Sequence, residues 1–391
     1  MIAEIGNAEV SKGEIIDMIK DFYLEQIGAL ETRLREEFAP DLRIPVEKGG
    51  ARVLYVPLVG EHAILPAAKI FHAAGEDWTL SLFTATNHSF FVGDTAKAKE
   101  AAHWIVEEAK RLGVRAIAYP ECGHASRLLQ SFFEGWFGDE IAGIERVNIL
   151  QLVAGYLQEG RIRVRPGAFE TPLTYHDPCN LGRNGGMFEE PRLLIQSVAT
   201  DFRELVPNRE LNWCCGGGGG LVAAPDMKDV RMKAGRKKVE QIWRSGATWV
   251  ITACENCKAQ LRDLNEHYEL GVEVKGVIDL VADALILILS TPEGYRRCVG
   301  SWRALASQRS RRPRLHRCHA GLLYARSRIE VEEEFVAMAF AGQIVVDGDV
   351  GGVEAEIGEL ASACGIPAGR LRDALPSIRT RTPEAVSYTH L

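Results

Sequence analysis

Short apolar runs alternate with amphipathic stretches between residues 51 and 165. The runs ARVLYVPLV, WTLSLF and AIAYPE predict buried strands, and TAKAKEAAHWIVEEAKRLG predicts a helix because its apolar residues recur at helical spacing. Continuous apolar strands that are joined by helical crossovers are typical of a parallel sheet with helices on both faces. The predicted fold class is therefore α/β.

The same order of elements returns between residues 166 and 290. It consists of strand TPLTYHDP, helix EPRLLIQSVATDF, helix MKDVRMKAGRKKVEQIWRSG, strand TWVITA and helix ENCKAQLRDLNEHY. Asp94 precedes Cys122 by 28 residues, and Asp226 precedes Cys254 by the same 28 residues. This spacing indicates an internal duplication, so we expect two parallel α/β repeats.

These patterns predict four domains. They are an N-terminal helix and linker at 1–50, a degenerate first repeat at 51–165, a second repeat at 166–290 that holds five of the nine cysteines, and a tail at 291–391. In the tail, IEVEEEFVAMAF and VEAEIGELASACGI suggest one or two helices around a VDGDVGG turn. We expect the tail to be poorly defined, either as a disordered or variable appendage or as an artefact of a frame-shifted reading frame. Cys298, Cys318 and Cys364 lie there, match no metal template and are assigned no role.

Composition narrows the class of protein further. Apolar residues make up 46% and charged residues 25% of the 391, as in ordinary globular proteins, and no apolar run is long enough to span a bilayer. The N-terminus lacks the pattern of a secretory signal, so we expect a cytoplasmic protein. The net charge is −7, although residues 296–328 hold ten arginines and no acid. That block has no pattern of interleaved aromatic residues, and the acidic remainder argues against nucleic-acid binding.

Five cysteines of the second repeat carry the candidate chemistry. Cys179 is followed after 34 residues by Cys214 and Cys215, and after 38 more by the C-x-x-C pair of Cys254 and Cys257. Each falls where a predicted strand gives way to a loop or helix, which is where a parallel α/β unit places its ligands. A helix N-terminus lowers the pKa of a thiol and so favours the thiolate that metals require. The five thiols can therefore converge on one metal site.

A run of glycines directly follows the vicinal cysteine pair. Glycine allows the backbone to approach a bulky group closely, so Gly216, Gly217 and Gly218 are predicted to cradle a cofactor and to turn N–H groups toward its sulfur. A flexible loop is the alternative. The run lacks the Lys-Ser/Thr ending of a nucleotide-binding P-loop, which argues against phosphate binding.

The cysteine pattern has three alternative interpretations. Structural zinc takes four ligands, often as two C-x-x-C pairs. A thioredoxin-like dithiol would use Cys254 and Cys257 alone. Cysteines can also be buried without any shared role. An iron–sulfur cluster accounts for all five thiols and is the favoured interpretation.

The motifs HDPC at 176–179, WCCGGGGG at 213–220 and CENC at 254–257 resemble the cysteine-rich CCG domain of heterodisulfide reductase catalytic subunits of the B and D type. They are also similar to the K subunit of the membrane complex that is linked to dissimilatory sulfite reductase. The resemblance covers residues 50–290. It implies one non-cubane 4Fe–4S cluster on the five thiolates, which reduces a disulfide or trisulfide one electron at a time, with a small sulfur-carrier protein as substrate.

The resemblance also implies partners. This chain lacks the ferredoxin-type cysteine run of many relatives, so we expect a ferredoxin-type, haem or flavin subunit to donate electrons. Membrane association is expected only through partner subunits, which places the protein in the cytoplasm or at the inner face of the membrane. One alternative is the iron–sulfur subunit of a complex that oxidises lactate, glycolate or glycerol 3-phosphate. A second is a non-catalytic scaffold with a structural metal.

Several polar residues near the cysteines have candidate roles. His176 is a candidate proton donor, with a turn as the alternative role of the His-Asp-Pro segment. Cys122 and His124 occupy the corresponding site of the first repeat, where they could line a substrate pocket or be structural residues. Lys258 could stabilise a substrate thiolate, although a solvated lysine is favoured there. The segment 183–186 is predicted to form a loop over the site or a plain turn.

Overall fold

A computed structural model divides the chain into two compact units. One unit comprises Met1–Glu31 and Arg43–Leu285, and the other comprises Thr32–Leu42 and Ile286–Leu391. The structure describes residues 13–39, 41–57, 61–82, 94–218 and 220–286, together with shorter pieces after residue 290. The predicted N-terminal helix is present as α1, Gly13–Glu37. Of the helices in these residues, none combines the length and the apolar character that crossing a bilayer requires.

The first repeat is a four-stranded parallel sheet with helices between its strands. Its elements are β1 Val53–Tyr55, α2 Ile64–Ala74, β2 Trp78–Thr79, α3 Thr95–Leu112, β3 Ala116–Tyr119, α4 Gly123–Ser126, α5 Phe133–Phe137, β4 Glu145–Asn148 and α6 Ile149–Gln158. A π-helical stretch, Arg127–Phe132, joins α4 to α5. The strands lie in the order β2-β1-β3-β4, and every neighbouring pair is parallel.

The second repeat reproduces this arrangement. Its elements are β5 Leu173–His176, α7 Glu189–Val198, β6 Phe202–Glu204, α8 Lys228–Ser245, β7 Trp249–Thr252, α9 Glu255–Tyr268, β8 Glu273–Lys275 and α10 Val277–Asp283. The strand order is β6-β5-β7-β8, again parallel throughout. Cys122 and Cys254 both stand directly before the helix that follows the third strand of their repeat. The predicted α/β class and the duplication are confirmed.

The sheet of the second repeat has a crevice at the carboxyl ends of β5 and β7. From β5 the chain crosses to β6 on one side, and from β7 it crosses to β8 on the other side. Connections that leave two neighbouring strands in opposite directions open a crevice between them, where α/β proteins bind their ligands. All four residues of β5 are buried, because helices cover the sheet.

Helices from both repeats pack together within this unit. Helix α10 packs against α2 and α7, and α6 packs against α7. Glu121, which lies just after β3, accepts hydrogen bonds from the backbone N–H groups of Val277 at 2.9 Å and Ile278 at 3.1 Å. The first N–H groups of a helix have no partner within that helix. The first repeat therefore caps a helix of the second.

The second unit contains a sheet in the order β12-β11-β10-β9. Its strands are β9 Arg314–Arg317, β10 Leu323–Val331, β11 Glu334–Val346 and β12 Arg379–Arg381. The prediction of a helix in IEVEEEFVAMAF is wrong. Residues 329–331 belong to β10 and residues 334–340 to β11, where Glu330 pairs with Phe335 and Val331 with Glu334 in an antiparallel ladder. Apolar runs of this length suit either structure, and here pairing with a neighbouring strand decides for a sheet.

A buried carboxylate ties the first repeat together. Glu76, whose side chain is 2% exposed, accepts hydrogen bonds from Arg52 at 2.7 and 2.8 Å, from Tyr156 at 2.6 Å and from Arg161 at 3.0 Å. Burial by itself raises the pKa of a carboxyl group, but the hydrogen bonds from Arg52 and Tyr156 outweigh it and lower the pKa of Glu76 to about 2. Glu76 lies in the turn before β2, and its carboxylate links that turn to the start of β1 and to α6.

Replacing Glu76 with glutamine is expected to lower the free energy of unfolding by about 2 kcal/mol at pH 7, because two arginines lose their counter-charge. The lowered pKa means that the stabilisation is present above about pH 4.5 and is lost as the pH falls toward 2. Urea unfolding at pH 7 and at pH 3 should therefore give a smaller difference between wild type and variant at pH 3. Glu100→Gln, at an exposed pair with Lys97, is the control and should cost less than about 0.5 kcal/mol. Equal losses at both pH values would contradict the prediction.

Candidate metal centre

The five candidate cysteines lie together beyond the carboxyl ends of β5 and β7. Cys179 follows β5, Cys254 directly precedes α9, and Cys257 lies in the first turn of that helix. Cys214 and Cys215 come from the loop between β6 and α8. All five line one cavity of about 290 Å³. The structure thus brings together thiols from three separate segments of the chain.

Cys214 lies at the exposed side of this group. Hydrogen bonds from the thiols of Cys179 and Cys215, with a further one from the Gly216 N–H, lower the pKa of Cys214 to about 2. The same contact with Cys214 raises the pKa of Cys179. The sulfur atoms of Cys179, Cys214 and Cys215 are therefore within hydrogen-bonding reach of one another.

Cys254 forms a second centre of this kind, in the buried part of the site. Hydrogen bonds from Cys122 and Cys257 lower the pKa of Cys254. The Sγ atoms of Cys257 and Cys215 are 3.5 Å apart, which links this centre to the first. A sixth sulfur, that of Cys122 in the first repeat, therefore touches the site although it does not line the cavity.

Backbone N–H groups of the glycine run are directed at two of the sulfur atoms. The N–H of Gly216 donates to Cys214 Sγ at 3.3 Å. The hydrogen bond to Cys214 raises the pKa of Cys215 to about 12, and the N–H of Gly217 acts in the opposite direction. N–H donors of this kind stabilise negative charge on sulfur.

The same glycines pack closely against neighbouring helices. Gly216 has φ of +91°, and a Cβ there would lie 2.8 Å from the carbonyl oxygen of Arg231 and from the nitrogen of Gly235, both on α8. A Cβ on Gly217 would also clash, whereas Gly218 has open space and lines the cavity. Helix packing therefore requires glycine at 216 and 217. A role of all three glycines in holding a cofactor stays a prediction.

Helix α9 holds the loop of the vicinal cysteines in place. Gln260, which is fully buried, donates to the carbonyl oxygen of Cys215 at 3.0 Å, and Asn256 donates to that of Gly217 at 2.7 Å. Arg231 of α8 donates in turn to the Gln260 side chain at 2.7 Å. The helix that carries Cys254 and Cys257 therefore also sets the position of Cys215.

A buried ion pair anchors the other end of this loop. Arg192 binds both carboxylate oxygens of Asp177, at 2.8 and 3.0 Å, and each of the two side chains is 3% exposed. The Asp177 carboxylate also accepts from the N–H of Arg209 at 2.9 Å, and Asn212 donates to the Asp177 carbonyl oxygen at 2.5 Å. These bonds fasten the segment before Cys214 to the end of β5.

His176 lies behind the cysteines, inside the protein. One of its ring nitrogens and the sulfur atoms of Cys215 and Cys257 lie within 4.8 Å of one another. The residue is 1% exposed, and neither Nδ1 nor Nε2 has a hydrogen-bond partner among the residues that the structure describes. Burial, followed by the charge of Lys238, lowers the pKa of His176 to about 3. The imidazole is therefore neutral, and its predicted role as a proton donor stays a prediction.

Lys238 of α8 is also buried near this histidine, and the sequence patterns did not predict its burial. Its Nζ donates to the side-chain oxygens of Asn212 at 2.5 Å and Gln241 at 2.6 Å. One signal was present in the sequence, because Lys238 shares a helical stripe with Arg231, Gly235 and Ile242, and this stripe is the buried face of α8.

The mouth of the cavity is polar and basic. Its charged and amide side chains are those of His124, Arg127, Arg183, Asn180, Asn184 and Asn256, and no carboxylate lines it within the described ranges. His124 and Arg127 come from the first repeat. The segment 183–186 forms part of the wall, where Arg183 donates to the backbone carbonyl oxygens of Glu210 at 3.0 Å and Asn212 at 2.6 Å.

Lys258 is buried, so the prediction of a solvated lysine is wrong. Its ammonium pairs with Glu255, and it lies 3.6 Å from Asp279 and 3.7 Å from Glu121. Burial alone lowers the pKa of a lysine, but these carboxylates raise the pKa of Lys258. The start of α9 packs against the first repeat, which removes Lys258 from both solvent and the cysteine cavity.

The donor set fits a sulfur-bound metal cluster. Thiolates are soft ligands that select iron–sulfur clusters, zinc or copper(I), and a vicinal pair with one C-x-x-C pair and one single cysteine differs from the usual zinc arrangement. Sulfur atoms of a cluster can accept hydrogen bonds from the N–H of Gly216 and from the single N–H of the neutral His176 ring, which has no partner among the described residues. A Cβ on Gly123 would lie 3.5 Å from Cys254 Sγ, so the first repeat closes tightly over the site.

Comparison with known proteins agrees with this geometry. Residues 173–262 match the family model described as a cysteine-rich domain, CCG, and residues 286–389 match the model described as a sensory domain found in PocR. The chain is 26% identical over 317 residues to the Hdr-like menaquinol oxidoreductase iron–sulfur subunit of Archaeoglobus profundus, a match that covers 66% of this chain and 56% of that protein.

The D-type polypeptide of the dihydromethanophenazine:CoB–CoM heterodisulfide reductase is a second relative. The Methanosarcina barkeri protein is 30% identical over 216 residues, and the Methanosarcina acetivorans protein is 31% identical over 217 residues. Each match covers 55% of this chain and 51% of the relative, so the chain spans about half the length of the curated relatives it matches. Residues 173–262 thus belong to the CCG cysteine-rich domain family, and the chain is related in sequence to Hdr-like iron–sulfur subunits and to the D-type polypeptide of heterodisulfide reductase.

Proposed function

We propose that the chain is the iron–sulfur subunit of a complex that reduces disulfides. The proposed ligands of one non-cubane 4Fe–4S cluster are Cys179, Cys214, Cys215, Cys254 and Cys257. The observation that carries this proposal is that five thiols from three segments line one cavity of about 290 Å³. The names of the relatives, which are subunits of redox complexes, support it.

The proposed reaction is cleavage of a sulfur–sulfur bond. A disulfide R–S–S–R′ takes up two electrons and two protons and yields the thiols RSH and R′SH. A trisulfide on a small sulfur-carrier protein, cleaved at one bond with the same balance, would yield a thiol and a persulfide. A ferredoxin-type, haem or flavin subunit is the proposed source of electrons, and the bound cluster would pass them on one at a time.

The residues of this chain bind and orient the substrate. Cys215, Cys254 and Cys257 are each at most 5% exposed, while Cys214 lies on the exposed side of the cavity, where a substrate would enter. The basic side chains at the mouth favour a disulfide with negatively charged groups near its sulfur atoms.

Metal content is the first test. Protein purified without oxygen should contain about four irons per chain with acid-labile sulfide, and it should give an EPR signal after mild oxidation. The Cys215→Ser variant should lose iron or change the signal, because a hydroxyl replaces a thiolate ligand.

Cys122→Ser is the matched control for this measurement. It removes a thiol that contacts Cys254 but is not a proposed ligand, so the iron content should stay at the wild-type value. Zinc without sulfide in the wild-type protein would contradict the redox function and support the alternative of a scaffold with a structural metal.

Replacing Arg127 with glutamine should raise KM for an anionic disulfide about tenfold and change kcat little, because the charge at the cavity mouth acts on binding. Steady-state kinetics with a reduced viologen dye as electron donor would measure both constants. Arg236→Gln, on the exposed face of α8, is the control and should change neither. If KM for an uncharged disulfide rises by the same factor, Arg127 does not act through its charge.

A further inference from the structure

Lys238 is an ammonium group that is buried without a carboxylate partner. The residue is 0% exposed, and Nζ donates to two neutral amide oxygens, those of Asn212 and Gln241. In the part of the chain that the structure describes, no carboxylate oxygen lies within 4.0 Å of Nζ. A charged lysine is rare in a protein interior unless an opposite charge compensates it.

The acidic groups near Lys238 are mainly the thiols of the cysteine site. Its hydrogen-bond partner Asn212 stands two residues before Cys214. Gly235, one helical turn before Lys238, packs against the carbonyl oxygen of Cys215. The Asp177 carboxylate is held by two hydrogen bonds from Arg192. A cluster on the cysteines would hold them as thiolates, and these would be the negative charges that balance the ammonium.

We propose that Lys238 is the buried counter-charge of the cysteine site and that it raises the reduction potential of the cluster held there. The inference rests on the proposed function, because it requires a redox-active group on the thiolates. A thiolate-bound cluster gains negative charge with each electron that it accepts. A fixed cation in a low-dielectric interior stabilises the reduced form more than the oxidised form.

A purely structural role for Lys238 makes different predictions. In that case its hydrogen bonds would only hold Asn212 and Gln241 in place, and the redox equilibrium would not depend on its charge. Lys238 does not line the cavity, so it can act on the site through its electric field or through the position of Asn212. A variant that neutralises the charge and keeps the lysine separates these two routes.

The test is a redox titration that is followed by EPR spectroscopy. Lys238→Met removes the charge and keeps an unbranched side chain that is one atom shorter. We expect wild-type iron content and a one-electron reduction equilibrium about tenfold less favourable, which is a midpoint potential about 59 mV more negative. Lys237→Met is the matched control, because Lys237 is exposed and pairs with Glu240, and its potential should equal that of wild type.

A second variant neutralises the charge while the lysine stays in place. Gln241→Glu puts a carboxylate beside Nζ, so the potential should shift in the same direction, and this variant decides the question if Lys238→Met does not fold. If the iron-loaded Lys238→Met and Gln241→Glu variants have the same midpoint potential as Lys237→Met, this inference is wrong and the proposed function is unaffected. Wild-type protein without iron and sulfide would overturn the proposed function and this inference together.

Discussion

Hydrogen bonds between sulfur atoms, and from backbone N–H groups to sulfur, hold five thiols close together in one cavity. Cys214 and Cys254 each accept hydrogen bonds from two neighbouring thiols. The N–H of Gly216 adds a third donor to Cys214, and the ammonium of Lys238 lies buried behind the loop. Thiolates this close together would repel one another in a low-dielectric interior without such partners. The surrounding structure serves to hold these partners in reach.

In its described residues the loop that carries Cys214 and Cys215 forms short 3-10 turns and no longer element, so side chains from rigid elements set its path. Gln260 of α9 holds its backbone on one side, and the Asp177–Arg192 pair fixes the segment before it on the other. Both anchors are buried, which strengthens their hydrogen bonds and makes the loss of either partner costly. Rigid elements thereby position a site that is built largely from loops.

The first repeat shows how a duplicated fold can be reused. Its site has kept one cysteine, Cys122, at the place where the second repeat has Cys254, and the two sulfur atoms are now in contact. His124 and Arg127, from the same helical segment, line the cavity of the second repeat. Glu121 caps a helix across the boundary between the repeats. The first repeat has thus become the wall and the support of the site in the second.

The sequence by itself determined the α/β class, the duplication and the five cysteines, because each depends on local patterns. Apolar periodicity predicts the strands and helices, and a parallel sheet brings the ends of its strands to one edge. The burial of Lys238 and of Lys258 was decided by the tertiary structure alone. A lysine is normally exposed, and the partners of Lys238 include Asn212, 26 residues away. The antiparallel pairing of β10 with β11 also depended on contact between strands, which hydrophobic periodicity does not encode. Local pattern thus specified the elements and the candidate cysteines, whereas packing selected the charges that surround them.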